Sequence, residues 1–434
     1  MSLTSIRTHE LKSCRKSLAR HQAPVSMSSL RKNARRQYDA FVVGAFRFPH
    51  GDASAQRLLT LAQAAAAGGY CPLVINDLPG NAGIYGGLGS VATVDGVDFI
   101  CLPAPGGGRV RRLIHRVSRP VRIGRVISLH QAPSRRPIVT LASGLCSFLL
   151  LMSLRLVLRA RVVADIVERH DAEQFPRGKF EPYFIRHRWT STMCKHFANR
   201  VLVISSELAA VNANVHPAPL ILPPMVDLAD YLPPRPASST TLNLLYVGTP
   251  RGKDQLGLIF DAIIALEPTE RADIRLTIAG ADSTALAANP DVGRERVEAL
   301  SDVMTALGYL GRGEVLQLLS TADFTVLIRP TTGYAAAGFP SKVPESLAAG
   351  CPVITNISSD LGDYLVDGHN ALICPPGHNS DEVSVETVLA TIRRALRLSP
   401  SAKNTMSHAA RGSADAFSAR AWGPNLAEWL EEIP

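Results

Sequence analysis

Three loops hold the residues whose types and spacing could do chemistry. The first is Gly248-Thr249-Pro250-Arg251-Gly252-Lys253-Asp254, which follows an apolar run and opens a helical pattern. Glycine permits a tight turn, a helix start offers unbonded N–H groups, and Arg251 and Lys253 add positive charge. That combination binds phosphate. The glycine spacing is too short for a Walker A loop, and the alternative is an ordinary turn with solvated charges. The second loop runs from Arg329 through Gly333, Gly338, Phe339 and Pro340 to a helix predicted at Ser341, Lys342 and onward. Ser341 is a candidate N-cap. Glu345, one turn in, can accept two hydrogen bonds from a vicinal diol such as ribose; otherwise it complements the helix dipole. The third loop is Phe48-Pro49-His50-Gly51-Asp52. His50 and Asp52 are candidates for acid–base work or acceptor contacts, though Asp52 could instead cap the helix that follows. Glu168 and His170, near a predicted strand end, are candidates of the same kind.

The elements that must position these loops alternate along the chain. Tyr38–Gly44 is a short apolar run. Ala53–Ala67 has helical spacing, Gly68-Gly69 ends it, and Pro72–Ile75 starts a second strand. This is a βαβ signature. Strands are predicted at 97–102, 138–142, 162–167 and 201–204. Helices are predicted at 110–117 (ended by Pro120), 146–160 and 189–199. A Pro-rich stretch follows, with Pro223-Pro224 and Pro233-Pro234; proline excludes helix, so it reads as a linker. A second set begins with strands at 242–247 and 274–279 and a helix at 254–266. It continues with helices at 314–320 and 341–349, strands at 324–328, 352–355 and 371–374, and helices from about 383. Two such sets mean two Rossmann-like α/β domains with parallel sheets. The expected organisation is a basic arm over 1–37, an N-terminal domain over 38–222, a linker over 223–241, a C-terminal domain over 242–418 and a last helix over 419–434.

Charge is uneven. Of the net +9, residues 1–37 carry +8 and residues 101–140 carry +9, so the remainder is acidic at −8. Local basicity points to an anionic partner. Arg109, Arg112, Arg116 and Arg119 fall within about 80° on a helical wheel, with Val110, Leu113, Ile114 and Val117 on the other side. The expected arrangement packs the apolar side inward and turns four guanidinium groups toward an anionic membrane. A solvated face is the alternative. A nucleic-acid partner is not expected, because aromatic side chains are not interleaved with the arginines. Seven scattered cysteines form no Cys-x-x-Cys pair, which suits a reducing compartment. No apolar leader precedes the fold, so a cytoplasmic protein is expected, with peripheral attachment at the inner membrane face as the alternative. Ile138–Leu154 is uncharged over 17 residues, the lower bound of a span, but Gly144 favours strand, turn and buried helix.

The stretch Gly338-Phe339-Pro340-Ser341-Lys342-Val343-Pro344-Glu345-Ser346-Leu347-Ala348-Ala349-Gly350-Cys351-Pro352-Val353-Ile354 resembles the donor-site signature of family-4-like glycosyltransferases of the GT-B fold. Tyr246–Asp254 is similar to their diphosphate loop, and Asp360–Gly368 with Asn370-Ala371-Leu372 to the segment after it. A weaker likeness covers Gly51–Arg57 and Asp165–Glu168. The resemblance implies two domains facing across a cleft, the last helix returning to the first domain, and transfer from a UDP- or GDP-sugar to a saccharide or lipid-linked acceptor. It implies retention at the anomeric carbon and work in polysaccharide, lipopolysaccharide or glycolipid biosynthesis. Arg251 and Lys253 would hold the diphosphate, Glu345 the ribose, and Gly248, Gly338, Phe339, Pro340, Ser341 and Lys342 would line the donor site. The chain departs from the pattern at Ala337, where a sugar-contacting glutamate belongs, and it lacks the frequent histidine near Ala142-Ser143-Gly144. With no Asp-x-Asp triplet, no metal is expected and no other cofactor. A nucleotide-sugar epimerase or hydrolase of the same fold, or a binding protein that has lost catalysis, are the alternatives.

Overall fold

The computed structural model describes residues 36–434, apart from 79–89, 103–107, 134, 216, 235–240, 251–252, 379 and 434, and apart from the side chains of 109, 112 and 334. The predicted arm over 1–37 therefore lies outside the described residues but for its last two, and Arg251 lies outside them altogether.

Two sheets organise the chain. The first has the order β3-β4-β2-β1-β5-β6-β7-β8. Its strands are β1 (Ala40–Gly44), β2 (Pro72–Asn76), β3 (Ala92–Val94), β4 (Val97–Cys101), β5 (Ile138–Ala142), β6 (Arg161–Ile166), β7 (Arg200–Val203) and β8 (Leu220–Ile221). All pairings are parallel except β3 with β4 at the edge. Strands β1, β2, β4, β5 and β7 are buried at every position. Parallel strands covered on both faces are apolar without alternation, which is why they stand out as runs in the sequence.

The second sheet has the order β11-β10-β9-β12-β13-β14 and is parallel throughout. It comprises β9 (Leu242–Val247), β10 (Ile274–Ala279), β11 (Met304–Ala306), β12 (Phe324–Leu327), β13 (Val353–Thr355) and β14 (Ala371–Ile373). Strand order reverses at β9/β12 here and at β1/β5 in the first sheet. Ligands in open α/β sheets sit beyond the carboxyl ends of strands at such reversals. The loops after β9, β12 and β1 are the three that the residue types singled out.

The helices used below are α1 (Ala53–Ala67), α2 (Arg109–Val117), α3 (Arg119–His130), α4 (Phe148–Met152), α5 (Pro182–Phe197), α6 (Lys342–Ala348) and α7 (Ala419–Glu431). Pro120 does not end α2, as its sequence suggested; it starts α3. A proline's fixed φ suits the first helical turn, where its missing N–H is not needed. The single helix expected over 146–160 is shorter, running from α4 directly into a π turn at Ser153–Val157, with a separate 3₁₀ turn before it at Ser143–Leu145. No described helix is long and apolar enough to cross a membrane.

The chain passes between the sheets after Leu222 and returns just before α7, which packs along α1. The two passages touch: Val226 N donates to Phe417 O at 2.9 Å and Ala419 N to Val226 O at 3.0 Å. Helices α1 and α7 meet at glycines. A Cβ on Gly423 would lie 2.6 Å from the Ala67 Cβ and 2.8 Å from its carbonyl carbon, and one on Gly68 would lie 2.6 Å from Gly423 O. Gly423→Ala is therefore expected to destabilise the fold by about 1–3 kcal/mol through overpacking. A thermal melt of the variant checks this, and an unchanged midpoint would contradict the close packing.

Candidate active site

The loop after β9 is shaped by glycine. Gly248 has φ +125°, and a Cβ there would lie 2.6 Å from Lys342 Cε; Gly280, at φ +116°, would crowd Gly248 O at 2.5 Å. Only glycine combines that backbone with so close an approach. The lysine that passes over Gly248 belongs to α6. Its Nζ contacts Asp254 and donates to Tyr246 Oη at 3.0 Å, standing 4.3 Å from the Tyr246 ring centre. Tyr246 in turn donates to Asp254 at 2.6 Å. Burial lowers the Lys342 pKa, and Asp254 opposes that shift.

Arg329, at the end of β12, organises the other loop. It is 4 % exposed. Its Nη1 donates to Gly338 O at 3.3 Å and its Nε to Lys253 O at 3.4 Å, so one guanidinium ties both loops together. Ser341 stands at the start of α6, but its side chain makes no capping hydrogen bond. Phe339 turns its ring into the core, against Tyr364 and Phe417 at 5.6 and 5.8 Å, and also borders the cleft.

Glu345 projects from the first turn of α6. Arg312, 33 residues earlier, approaches it at 3.4 Å and also pairs with Asp230 at 2.9 Å. Burial raises the Glu345 pKa, and Arg312 pulls it back. Arg312 was not singled out from the sequence. Its only signal is that it starts a helix on the edge facing Glu345.

Two adjoining lobes of one cleft bring these groups against the first sheet. The larger, about 510 Å³, has Glu168, His170 and Arg57 on one side and Lys253, Arg329, Gly338, Ser341 and Lys342 on the other. The smaller, about 210 Å³, sets His50, Asp52 and Gln56 opposite Gly248, Arg312, Lys342 and Glu345. A third cavity of about 530 Å³ lies wholly among residues of the N-terminal half and reaches the cleft through Glu168 and His170.

The N-terminal wall differs from the sequence reading in detail. Asp52 caps α1: one oxygen accepts from Ala55 N at 2.8 Å and the other from Arg47 N at 3.1 Å. Its carboxylate is thus occupied by backbone amides. His50 borders the smaller lobe and pairs with Asp95 at 3.3 Å. Glu168 crosses the cleft, with Oε1 2.8 Å from Lys253 Nζ and Oε2 3.4 Å from His170 Nε2. The hydrogen bond from His170, and then the Lys253 charge, hold the Glu168 carboxyl down at about 2 against the opposing effect of burial. His170 also meets Gln174 and Tyr183. Burial, and then the neighbouring His170, depress His187 to about 4. Among the described residues no group of three His, Cys, Asp or Glu is placed to hold a metal ion.

The arginine helix is corrected. Val110, Leu113, Ile114 and Val117 face outward and are exposed. Arg119, expected to point outward, turns in to the buried Asp77, with Nε 2.6 Å from Oδ2. Arg116 is exposed; the side chains of Arg109 and Arg112 lie outside the described set.

The sequence of residues 241–393 matches the family model of glycosyl transferases group 1. Over this segment, about a third of its length, the chain is similar to that family. The whole described fold is that of the two-domain GT-B glycosyltransferases. HepE of Anabaena, solved with UDP and glucose, is 14 % identical with a TM-score of 0.63, over 92 % of this chain and all of that one. Sucrose-phosphate synthase of Thermosynechococcus elongatus is 18 % identical with a TM-score of 0.63, over 92 % and 99 %. WaaG, a glycosyltransferase involved in lipopolysaccharide biosynthesis, is 16 % identical with a TM-score of 0.62, over 91 % and 100 %. No curated protein sequence matches the chain. The matched segment contributes Gly248, Lys253, Arg329, Gly338, Lys342 and Glu345 to the cleft. It also carries the departure at Ala337, which ends a short helix fully buried, its carbonyl accepting from Ser205 Oγ at 2.6 Å.

Proposed function

We propose that the protein transfers a hexosyl group from a UDP- or GDP-sugar to a saccharide or lipid-linked acceptor, with retention at the anomeric carbon. The acceptor would belong to the assembly of a polysaccharide, lipopolysaccharide or glycolipid. One observation carries the reading: Lys253, the glycine-shaped strand end at Gly248 and Glu345 on the first turn of α6 converge on a single cleft closed by the other sheet. In that arrangement Glu345 would receive the ribose diol. Lys253, Lys342 and loop amides would meet the diphosphate as it leaves. Fixed charges aimed at the leaving group stabilise the transition state without reorganising, and closure of the cleft would exclude water. No metal is assigned a part. Because Ala337 offers no side chain to the cleft, contacts to the sugar would fall to the Gly338 and Phe339 amides and to Lys342.

A second reading rests on that same Ala337: a protein that binds the nucleotide sugar and turns it over poorly or not at all. Binding and turnover separate the two. At a hundredfold excess over its Kd, UDP or GDP should stabilise the fold by about 2.7 kcal/mol, read as a thermal shift. A screen of nucleoside diphosphates and their sugars in which nothing shifts the melt would sink both readings. A shift without product in the presence of acceptor saccharides would leave the second.

A further inference from the structure

Helix α2 is amphipathic the wrong way round for a helix packed on a soluble core. Its inward contacts are polar. His115 is 7 % exposed and lies 3.6 Å from Asp77, a fully buried carboxylate just beyond β2. The same carboxylate takes Arg119 at 2.6 Å and Arg122 at 2.7 Å, and Arg122 also donates to His115 O at 2.6 Å. This cluster pins the α2–α3 junction to the sheet. It leaves Val110, Leu113, Ile114 and Val117 at 59–70 % exposure on the outer side. Amphipathic helices ordinarily bury that side.

Exposed aliphatic side chains also stand on the two elements that follow α2. Val121 on α3 is exposed, and Gly124 of α3 lies beside Ser153 and Leu158 of the next segment. There Leu149, Leu156 and Val157 are 62–76 % exposed. Single exposed aliphatics are normal on a soluble protein, but eight on three elements that follow one another in the chain point to an interaction surface. Its charge identifies the partner. From residue 99 to residue 164 the chain holds 12 arginines and no aspartate, glutamate or lysine. Arg116, Arg125 and Arg159 are exposed within the set. Aliphatic side chains beside guanidinium groups match an anionic bilayer, where acyl chains lie just beneath a layer of phosphates.

We propose that α2, α3 and the α4–π segment form a monotopic docking surface for anionic lipid membrane, with the outer aliphatic side chains inserted below the headgroups and the flanking arginines at the phosphates. Asp77 anchors this surface on the strand-end side of the sheet, the side that also carries the cleft. A lipid-linked acceptor would then be presented toward the site; that corollary alone rests on the proposed transferase reading. Docking itself is tested without turnover.

The full chain is sedimented with vesicles of phosphatidylcholine alone and with vesicles containing about 30 % phosphatidylglycerol. Binding to the anionic vesicles and not to the neutral ones is expected. Leu113→Ser with Ile114→Ser, and separately Leu156→Ser with Val157→Ser, should each weaken the partition at least about tenfold while leaving every charge in place. These residues are exposed, and an unchanged melting curve verifies the fold. Wild-type binding in both variants would overturn the proposal and assign the attraction to charge alone, including the basic residues 1–37. Absence of binding to either vesicle, or equal binding to both, would overturn it as well.

Discussion

Replacing Asp165 by alanine is expected to destabilise the N-terminal half by about 3–5 kcal/mol. Asp165 is 3 % exposed and Arg57 7 %. The guanidinium grips the carboxylate with Nε at 2.8 Å and Nη2 at 2.7 Å. Its remaining Nη1 donates to Leu222 O and Pro223 O at 3.2 and 3.3 Å, where the chain leaves the first sheet. Removing one partner strands a charge in a site with little water, and that stranded charge sets the size of the loss rather than the pair's own attraction. Arg57 also borders both lobes of the cleft, so a loosened guanidinium would disturb the site. Urea denaturation of the variant measures the effect. A loss below about 1 kcal/mol would place the pair among surface ion pairs and contradict its burial.

Lys253→Ala and Glu345→Ala are each expected to lower transfer at least about tenfold, equivalent to ~1.4 kcal/mol of transition-state stabilisation. Neither side chain supports the core, so both variants should melt near the wild-type temperature. Near-normal turnover in both would falsify the site assignment. Glu168 offers a contrast of opposite sign. Without a donor it neutralises Lys253, so an incoming diphosphate must displace it. Glu168→Gln should therefore tighten nucleoside diphosphate binding by about two- to fivefold, the worth of a partly exposed ion pair, while Lys253→Ala weakens it. The Glu168 pKa is lowered, so its charge, and the pairing with Lys253, are lost only as pH falls toward about 2. The contrast should accordingly persist from pH 5 to pH 8 in a titration of UDP binding.

What could be read from the chain divides along physical lines. Strands β9 and β10 match their predicted limits to the residue, because their buried positions at Leu242, Leu244, Leu245, Ile274, Leu276 and Ile278 are all aliphatic. The loops at Gly248, Gly338 and His50 were legible because glycine, charge and helix starts are local signals. Partners far apart in sequence were not. Glu168 meets Lys253 across 85 positions and Arg312 meets Glu345 across 33; nothing in either neighbourhood announces the other. Helix α2 shows the same limit more sharply. Its wheel groups the four aliphatic side chains on one side correctly. Which side faces the protein is decided by Asp77, a single carboxylate more than thirty residues upstream, and the usual inward-apolar expectation is reversed. Between 146 and 160 the helical spacing is borne out over Phe148–Val157, but its second half widens to a π turn that hydrophobic periodicity does not record.

The paired passages between the sheets constrain how the cleft can open. Two bodies joined by one strand can swing, twist and slide. Here Val226 is hydrogen-bonded on both sides to the returning chain at Phe417 and Ala419, so the two strands act as a single pin. Twisting would shear those bonds, whereas swinging about them would not. Relative twist of the halves is thereby resisted more than rotation about the pin. A break in the chain between α7 and the residues before it would leave both sheets folded yet free the two halves to meet out of register.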